Sequence, residues 1–180
     1  MAGAAYQERY CAFLDIMGFG DLINEDASPI RLHSLLKKIH EPQSWSPDSI
    51  RLSNFRAQSI SDAVALSTDA TQNGLTHLFL TVEVLALDLL STGYFIRGAI
   101  VKGDLYHDDK MVFGPALVHA YNLERAVVDY PRIMLPYNLF KDAQAIWGMQ
   151  YKEYMRQAND GPFFIHVLRR LDARAMRGSW

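Results

Sequence analysis

Cysteine is almost missing from this chain: Cys11 is the only one in 180 residues. A single thiol excludes an internal disulfide and any cysteine-rich metal site. Its place in an apolar run reads as a buried thiol in a cytosolic setting. An excess of charge of one sign is also missing. The 18 basic and 20 acidic residues leave a net charge of -2, and no basic run stands out, which argues against duplex nucleic acid as a partner. The longest apolar runs fall far short of a membrane span, so no membrane is expected. The opening MAGAAYQERY has neither the charged start nor the apolar stretch of a signal peptide. The six histidines form no ligand-spaced cluster, and there is no internal repeat or low-complexity tract. What is present is ordinary: 49% hydrophobic and 21% charged residues, which suits a cytoplasmic domain with one good-sized core. A single domain over 1–180 is expected.

The apolar run 10–16, ended by glycines, predicts a buried strand. A short helical stretch is expected to begin at 21–26. Ser28 as N-cap and Pro29 at the first position predict a helix over 29–40. The stretch EPQSWSPDS at 41–49 reads as a loop. Residues 50–60 are extended and 64–67 form the next strand, so Asp62 falls at or near a hairpin turn. Leu75, Leu78, Phe79, Val82, Leu85, Ala86, Leu89 and Leu90 make one continuous helical stripe over 75–90, ended by Gly93. Strands follow at 94–101 and 111–113. A helix at 115–127 has Ala116, Ala120, Leu123 and Val127 on one side. A short strand at 132–135, a helix near 136–147 and a strand at 163–167 complete the pattern. The order β-α-β-β-α-β is the ferredoxin-like arrangement, an α+β fold with an antiparallel sheet and helices on one face. Its core spans about 10–135, with 136–180 as a C-terminal extension.

The stretch CAFLDIMGFGDLI, residues 11–23, sets Asp15 in an apolar strand. A buried carboxylate without a partner is costly. In the ferredoxin-like order the first strand lies beside the hairpin of the next two. Asp15 and Asp62 are 47 positions apart (62 minus 15), yet that topology could make them neighbours in space. Two adjacent carboxylates share a proton or hold a cation. As hard oxygen ligands they suit Mg²⁺ or Mn²⁺, with water and substrate phosphates filling the remaining places. Gly18-Phe19-Gly20 turns the chain into a helix N-terminus whose N–H groups could hold phosphate oxygens. Metal and phosphate cradle together point to phosphoryl chemistry, with two metal ions. Each feature also has a plainer reading, because aspartates at strand ends and Ser-Asp pairs commonly shape turns.

Four segments in order, FLDIMGFGDLI, SISDAVALS, FIRGAIVKGDLY and VFGPALVHAYNLERAVVDYPRI, resemble the class III nucleotidyl cyclase family. Within it they look most like the pyrimidine cyclases of the bacterial Pycsar anti-phage system. The resemblance covers roughly residues 10–135. It implies that Asp15 and Asp62 hold two Mn²⁺ or Mg²⁺ ions and are the catalytic carboxylates, with the backbone carbonyl of Ile16 as a third ligand. It implies substrate-phosphate contacts at Phe13, Gly18 and Phe19, with Arg97 and Arg132 as basic candidates. The reaction it implies is internal attack of the ribose 3′-hydroxyl on the α-phosphorus, with pyrophosphate leaving.

The departures from the family pattern concern the base and the transition state. Where purine-specific members carry a lysine and an acid, this chain has Gln58 and Met111. That pair does not read adenine in the family's way. Gln58 both donates and accepts, so it fits uracil or cytosine equally. UTP is the favoured substrate and CTP the alternative. The family's helical asparagine and arginine are replaced by Val118 and Asn122, which motivates a second expectation: a catalytically inactive, nucleotide-binding regulatory domain. The resemblance also implies a homodimer with sites at the interface, and a separate effector that senses the cyclic nucleotide.

Overall fold

The computed structural model describes residues 5–24, 28–40, 54–127 and 130–169. Its strands are β1 (Gln7–Ile16), β2 (Arg56–Ile60), β3 (Ala63–Asp69), β4 (Ile96–His107), β5 (Val112–Phe113), β6 (Ile133–Leu135), β7 (Met155–Gln157) and β8 (Phe163–Ile165). Its helices are α1 (Phe19–Asn24), α2 (Pro29–His40), α3 (Gln72–Ser91), α4 (Pro115–Val127), α5 (Tyr137–Trp147) and α6 (Tyr151–Tyr154). The expected loop at 41–49 and the start of the extended stretch at 50–53 lie outside the described residues. Of the expected helical stretch at 21–26, so does everything from residue 25 on. Within the described residues the local signals hold. Pro29 opens α2, Thr71 caps α3 by accepting from Gly74 N, and Gly93 beyond its end has φ +87°.

The sheet runs β2-β3-β1-β4-β6-β8-β7, with β5 paired to β4. Its first four strands follow the ferredoxin-like order and are mutually antiparallel. The β4–β6 pair is parallel, because α4 carries the chain back across the sheet between them. The described part of the C-terminal extension joins this sheet. Leu139, Phe140, Met155 and Ile165 lie in the same core as Leu14 and Leu78.

One expectation needs correction: helices cover both faces, not one. β1 is apolar at even and odd positions alike, so each face needs a cover. Tyr10, Ala12, Leu14 and Ile16 point to the large core under α2 and α3. Cys11 and Phe13 point the other way, into a smaller core with Ala116 and Ala120 of α4. Burial pushes the Cys11 thiol up to about 12, so it is an inert packing group. The helix α3 is long and apolar enough to cross a membrane by length and composition, contrary to the run-length reading above. Here it is the main core helix, with Leu75, Leu78, Val82, Leu85 and Leu89 fully buried.

Candidate active site

Asp15 is the last odd residue of β1, so it faces the α4 side of the sheet. On one side it opposes Ala63 of β3, on the other Arg97 of β4. Asp62 sits in the Ser61-Asp62 turn between β2 and β3, next to Ala63. That turn is tight enough to hold Ser61 at φ 59°, a left-handed conformation that few non-glycine residues adopt. The tertiary fold thus brings the two expected carboxylates together. Asp15 is pushed up from 3.8 to about 6, first by burial, then by the charges of Asp62 and Glu124, with Arg97 opposing.

Arg97 is the cation at this end of the sheet. Its Nε and Nη2 each lie 3.4 Å from Asp15 Oδ2. Its Nε is also 2.7 Å from Glu124 Oε1 on α4, close but not aligned as a hydrogen bond. Burial raises the Glu124 pKa, while Arg97 and then Arg125 pull it back. Glu124 was not among the residues expected from sequence. The signal for it exists: Ala116, Ala120 and Glu124 recur every four residues, so the acid lies on the buried stripe of α4.

The residues present suit a divalent cation. Burial raises Asp15, and the charges of Asp62 and Glu124 add to it against the opposing charge of Arg97. Pairing of β1 with β3 stops at Asp15, so Ile16 lies one residue past the last rung on that side. Asp15, Asp62 and the Ile16 carbonyl therefore form the candidate metal edge. Among the described residues no set of three or more His, Cys, Asp or Glu side chains is arranged to hold a metal. Further ligands would have to come from backbone, water or substrate.

Gly18 has φ +73° and lets the chain turn from β1 into α1, where Leu22 N donates to Gly18 O. The first N–H groups of α1, from Phe19 on, have no partner within the helix. The side chain of Phe19 is buried in the main core. Phe13 does not fit its expected part in phosphate contact. Its backbone lies inside the sheet between Ala65 and Ala99, and its ring meets Tyr121 edge-on at 5.5 Å. It forms a wall. Arg132 is likewise engaged elsewhere, donating through Nη1 and Nη2 to Asp160 at 3.1 and 2.7 Å.

Gln58, on β2, meets the segment just before Met111 at the far side of the same face. The β4–β5 hairpin curls over β2, where Gln58 Nε2 donates to the Lys110 carbonyl at 2.8 Å and Arg56 pairs with Asp109. Met111, next in the chain, is half exposed. The Gln58 Oε1 acceptor has no protein partner. Val118 and Asn122 sit exposed on the outer side of α4. Val118 and Tyr121 of α4, with Tyr6, Met111 and Phe113, leave large apolar groups in solvent.

Comparison with protein-family models and with curated proteins finds no match. Solved structures do match. The monomeric guanylyl cyclase domain of the RhoGC fusion protein from the aquatic fungus Blastocladiella emersonii superposes with a TM-score of 0.64 at 14% identity, over 89% of this chain and 95% of that one. A bacterial light-regulated adenylyl cyclase gives 0.62 at 14% identity, over 93% of this chain and 54% of that one. The catalytic core of a rhodopsin-guanylyl cyclase with converted specificity, in complex with ATPαS, gives 0.56 at 13% identity, over 89% and 95%. The fold of this chain is therefore that of the class III nucleotidyl cyclase domains.

Proposed function

We propose that this protein is a metal-dependent nucleotidyl cyclase. The observation that carries the reading is the meeting of Asp15 and Asp62 at one end of a cyclase-like sheet, with more negative charge than Arg97 balances. Asp15, Asp62 and the Ile16 carbonyl would hold two Mn²⁺ or Mg²⁺ ions. When bound, these ions supply acidification of the ribose 3′-hydroxyl and neutralisation of the leaving pyrophosphate. The turn at Gly18 and Phe19 offers backbone N–H groups to the phosphates, and Arg97 adds a guanidinium.

The substrate reading rests on Gln58 and Met111. Gln58 and Met111 stand where the resemblance puts the lysine and acid that read a purine, and the Gln58 Oε1 acceptor has no hydrogen-bond partner among the described residues. A pyrimidine nucleotide suits this pair of residues. We favour UTP, giving 3′,5′-cyclic UMP and pyrophosphate, with CTP and cyclic CMP as the alternative. The product would serve as a cytoplasmic alarm signal in anti-phage defence, read by a separate effector. The exposed apolar groups around α4 suit a homodimer, in which one chain's carboxylates face the other's base pocket. The fungal guanylyl cyclase domain has both a monomeric and a dimeric structure.

A second reading has its own observation. Val118 and Asn122 replace the family's transition-state pair, and both are solvent-facing. An inactive domain that binds nucleotide as a regulator would explain that loss. One experiment separates the two. The protein is incubated with Mn²⁺ and each of ATP, GTP, CTP and UTP, and the products are identified by mass spectrometry, with Asp62→Asn as blank. A cyclic UMP or cyclic CMP signal lost in the variant supports the enzyme. No cyclic product, with nucleotide still bound, supports the regulator.

A further inference from the structure

We infer that the C-terminal extension carries a second ligand site, for a planar aromatic anion: a ring that bears one carboxylate or phosphate. The site is a cavity of about 570 Å³ at the β7 edge of the sheet, lined from α5, α6, β7 and β8. That volume lies in the range of small-molecule sites, about 300–1,000 Å³. The cavity shares no residue with the site at Asp15, and β4, β6 and β8 separate β7 from β1. The inference therefore stands whether or not the domain is a cyclase.

One wall of the cavity is aromatic. The rings of Phe140 on α5 and Phe163 on β8 stack at 3.8 Å with their planes 14° apart. Tyr151 of α6 meets Phe140 edge-on at 5.3 Å. Phe140 is buried, and core packing explains it. Tyr151 and Phe163 are only half-buried, so ring surface stays open to the cavity. The rim is cationic. Lys152 and Arg156 are exposed and line the same cavity, while no aspartate or glutamate among the described residues does so. Neither cation has an acidic partner among the described residues. The β7 backbone fixes where Arg156 stands. Tyr154 O accepts from His166 N and Ala158 N donates to Pro162 O, so the backbone groups of Met155 and Gln157 face the open edge. Arg156 Nη1 donates to the Met155 carbonyl at 3.1 Å, which holds the guanidinium on that edge beside the cavity.

The two halves of the cavity ask for two halves of a ligand. A planar ring packs against aromatic side chains stacked or edge-on, with a gain beyond the area it buries. A guanidinium takes a carboxylate or phosphate through paired N–H groups, and an ammonium adds a point charge. A neutral ring uses only the wall, and a bare anion uses only the rim. A ring with one acidic group uses both. An aromatic acid and a nucleotide share this chemistry.

The test titrates the full chain calorimetrically in EDTA, which silences metal-dependent nucleotide binding at Asp15 and Asp62. The probes are 1-naphthoate, a ring with a carboxylate, and uridine 5′-monophosphate, a ring with a phosphate. Their halves, 1-naphthamide, uridine and inorganic phosphate, are titrated alongside. At least one anionic ring should bind with a Kd below about 1 mM, and its halves about tenfold more weakly or worse. Binding of naphthoate, of the nucleotide or of both identifies the source of the natural ligand. Lys152→Ala and Arg156→Gln should each weaken that binding about tenfold, the scale of one charge-assisted contact. Tyr151→Leu should weaken it about threefold. Asp62→Asn should leave it unchanged. Lys152 and Arg156 are exposed, so their variants should fold, and thermal melting checks this. Wild-type affinity in both cation variants, neutral rings that bind as tightly as the anions, or no binding by either anion would overturn the inference. With no binding, a changed sedimentation of Lys152→Ala would assign this face to a second copy of the chain. None of these results touches the cyclase reading, which product formation tests at Asp62.

Discussion

Two arginines stand at opposite ends of one sheet face, and they are treated differently. At the far end from Asp15, Arg9 is 1% exposed and every nitrogen of its guanidinium is used. Nε donates to Ser67 Oγ at 3.0 Å, Nη1 to Asp69 Oδ1 at 3.0 Å, and Nη2 to the Asn54 carbonyl. Ser67 Oγ is in turn 2.8 Å from His107 Nδ1, which ties β3 to the end of β4. At the near end Arg97 is one-third exposed, shared between two acids, and outnumbered by negative charge. Between them lie Cys11 and Phe13 under α4. A buried ion with each nitrogen engaged holds strands in place. A carboxylate pushed up to about 6 by burial and by its neighbours is the kind of group that gathers at functional sites.

The comparison can be broken most sharply at the near end. Asp62→Asn should lower cyclic-nucleotide formation at least ~1000-fold, as loss of a metal ligand and a charge should, while leaving the melting temperature within a few degrees. Product mass spectrometry and calorimetry read the two halves. The far end should behave in the opposite way. Arg9→Met should cost about 2–4 kcal/mol of stability, since it strands Ser67, Asp69 and a carbonyl, yet leave Mn²⁺ binding unchanged. Denaturant unfolding and metal titration check it.

Smaller effects sharpen the contrast through pH. The carboxyl of Asp15 binds its proton more tightly when folded than when unfolded, so its ionisation opposes folding. In the metal-free protein that penalty is full above about pH 6 and fades as pH falls towards 3.8. Asp15→Asn should therefore stabilise the metal-free protein by about 1–3 kcal/mol at pH 7.5, with the gain shrinking below pH 6. Denaturant midpoints across pH would show it, alongside the loss of Mn²⁺ binding.

His107 has the reverse sign. Burial, then Arg9 and Arg56, hold it down from 6.5 to about 4, so the unfolded chain protonates first. Stability should fall between pH 6.5 and about 4 through this group. His107→Gln should remove about 1–2 kcal/mol of that acid loss. An unchanged acid limb would show that the Arg9–Ser67–His107 contact carries less than its geometry implies.

Much of the fold was legible because its signals are local. The α3 stripe, the Ser28–Pro29 start of α2 and the full extent of α4 at 115–127 needed only periodicity and caps. Strands were less well bounded. β1 and β4 both run further than their apolar stretches, because Gln7, Glu8 and Arg9 continue the ladder with Leu105, Asp104 and Gly103 whatever their polarity. The three-residue strand β7 carries no periodic signal and exists only by pairing with β8. In the site, Asp15 and Asp62 stood out as acids at the ends of apolar strands. Glu124 did not, because its neighbour Arg125 makes the pair look like an ordinary solvated helix face.

By itself the amino-acid sequence determined most of the helices and strands, that β1 is a buried strand, and that Asp15 and Asp62 could become neighbours. These follow from side-chain periodicity and chain order. Only the tertiary structure decided that α4 covers the face carrying the carboxylates, that Arg97 is shared between Asp15 and Glu124, and that Gln58 meets the β4–β5 hairpin. Those depend on where one element lands on another, and long-range charge contacts of this kind leave no periodic trace in the chain.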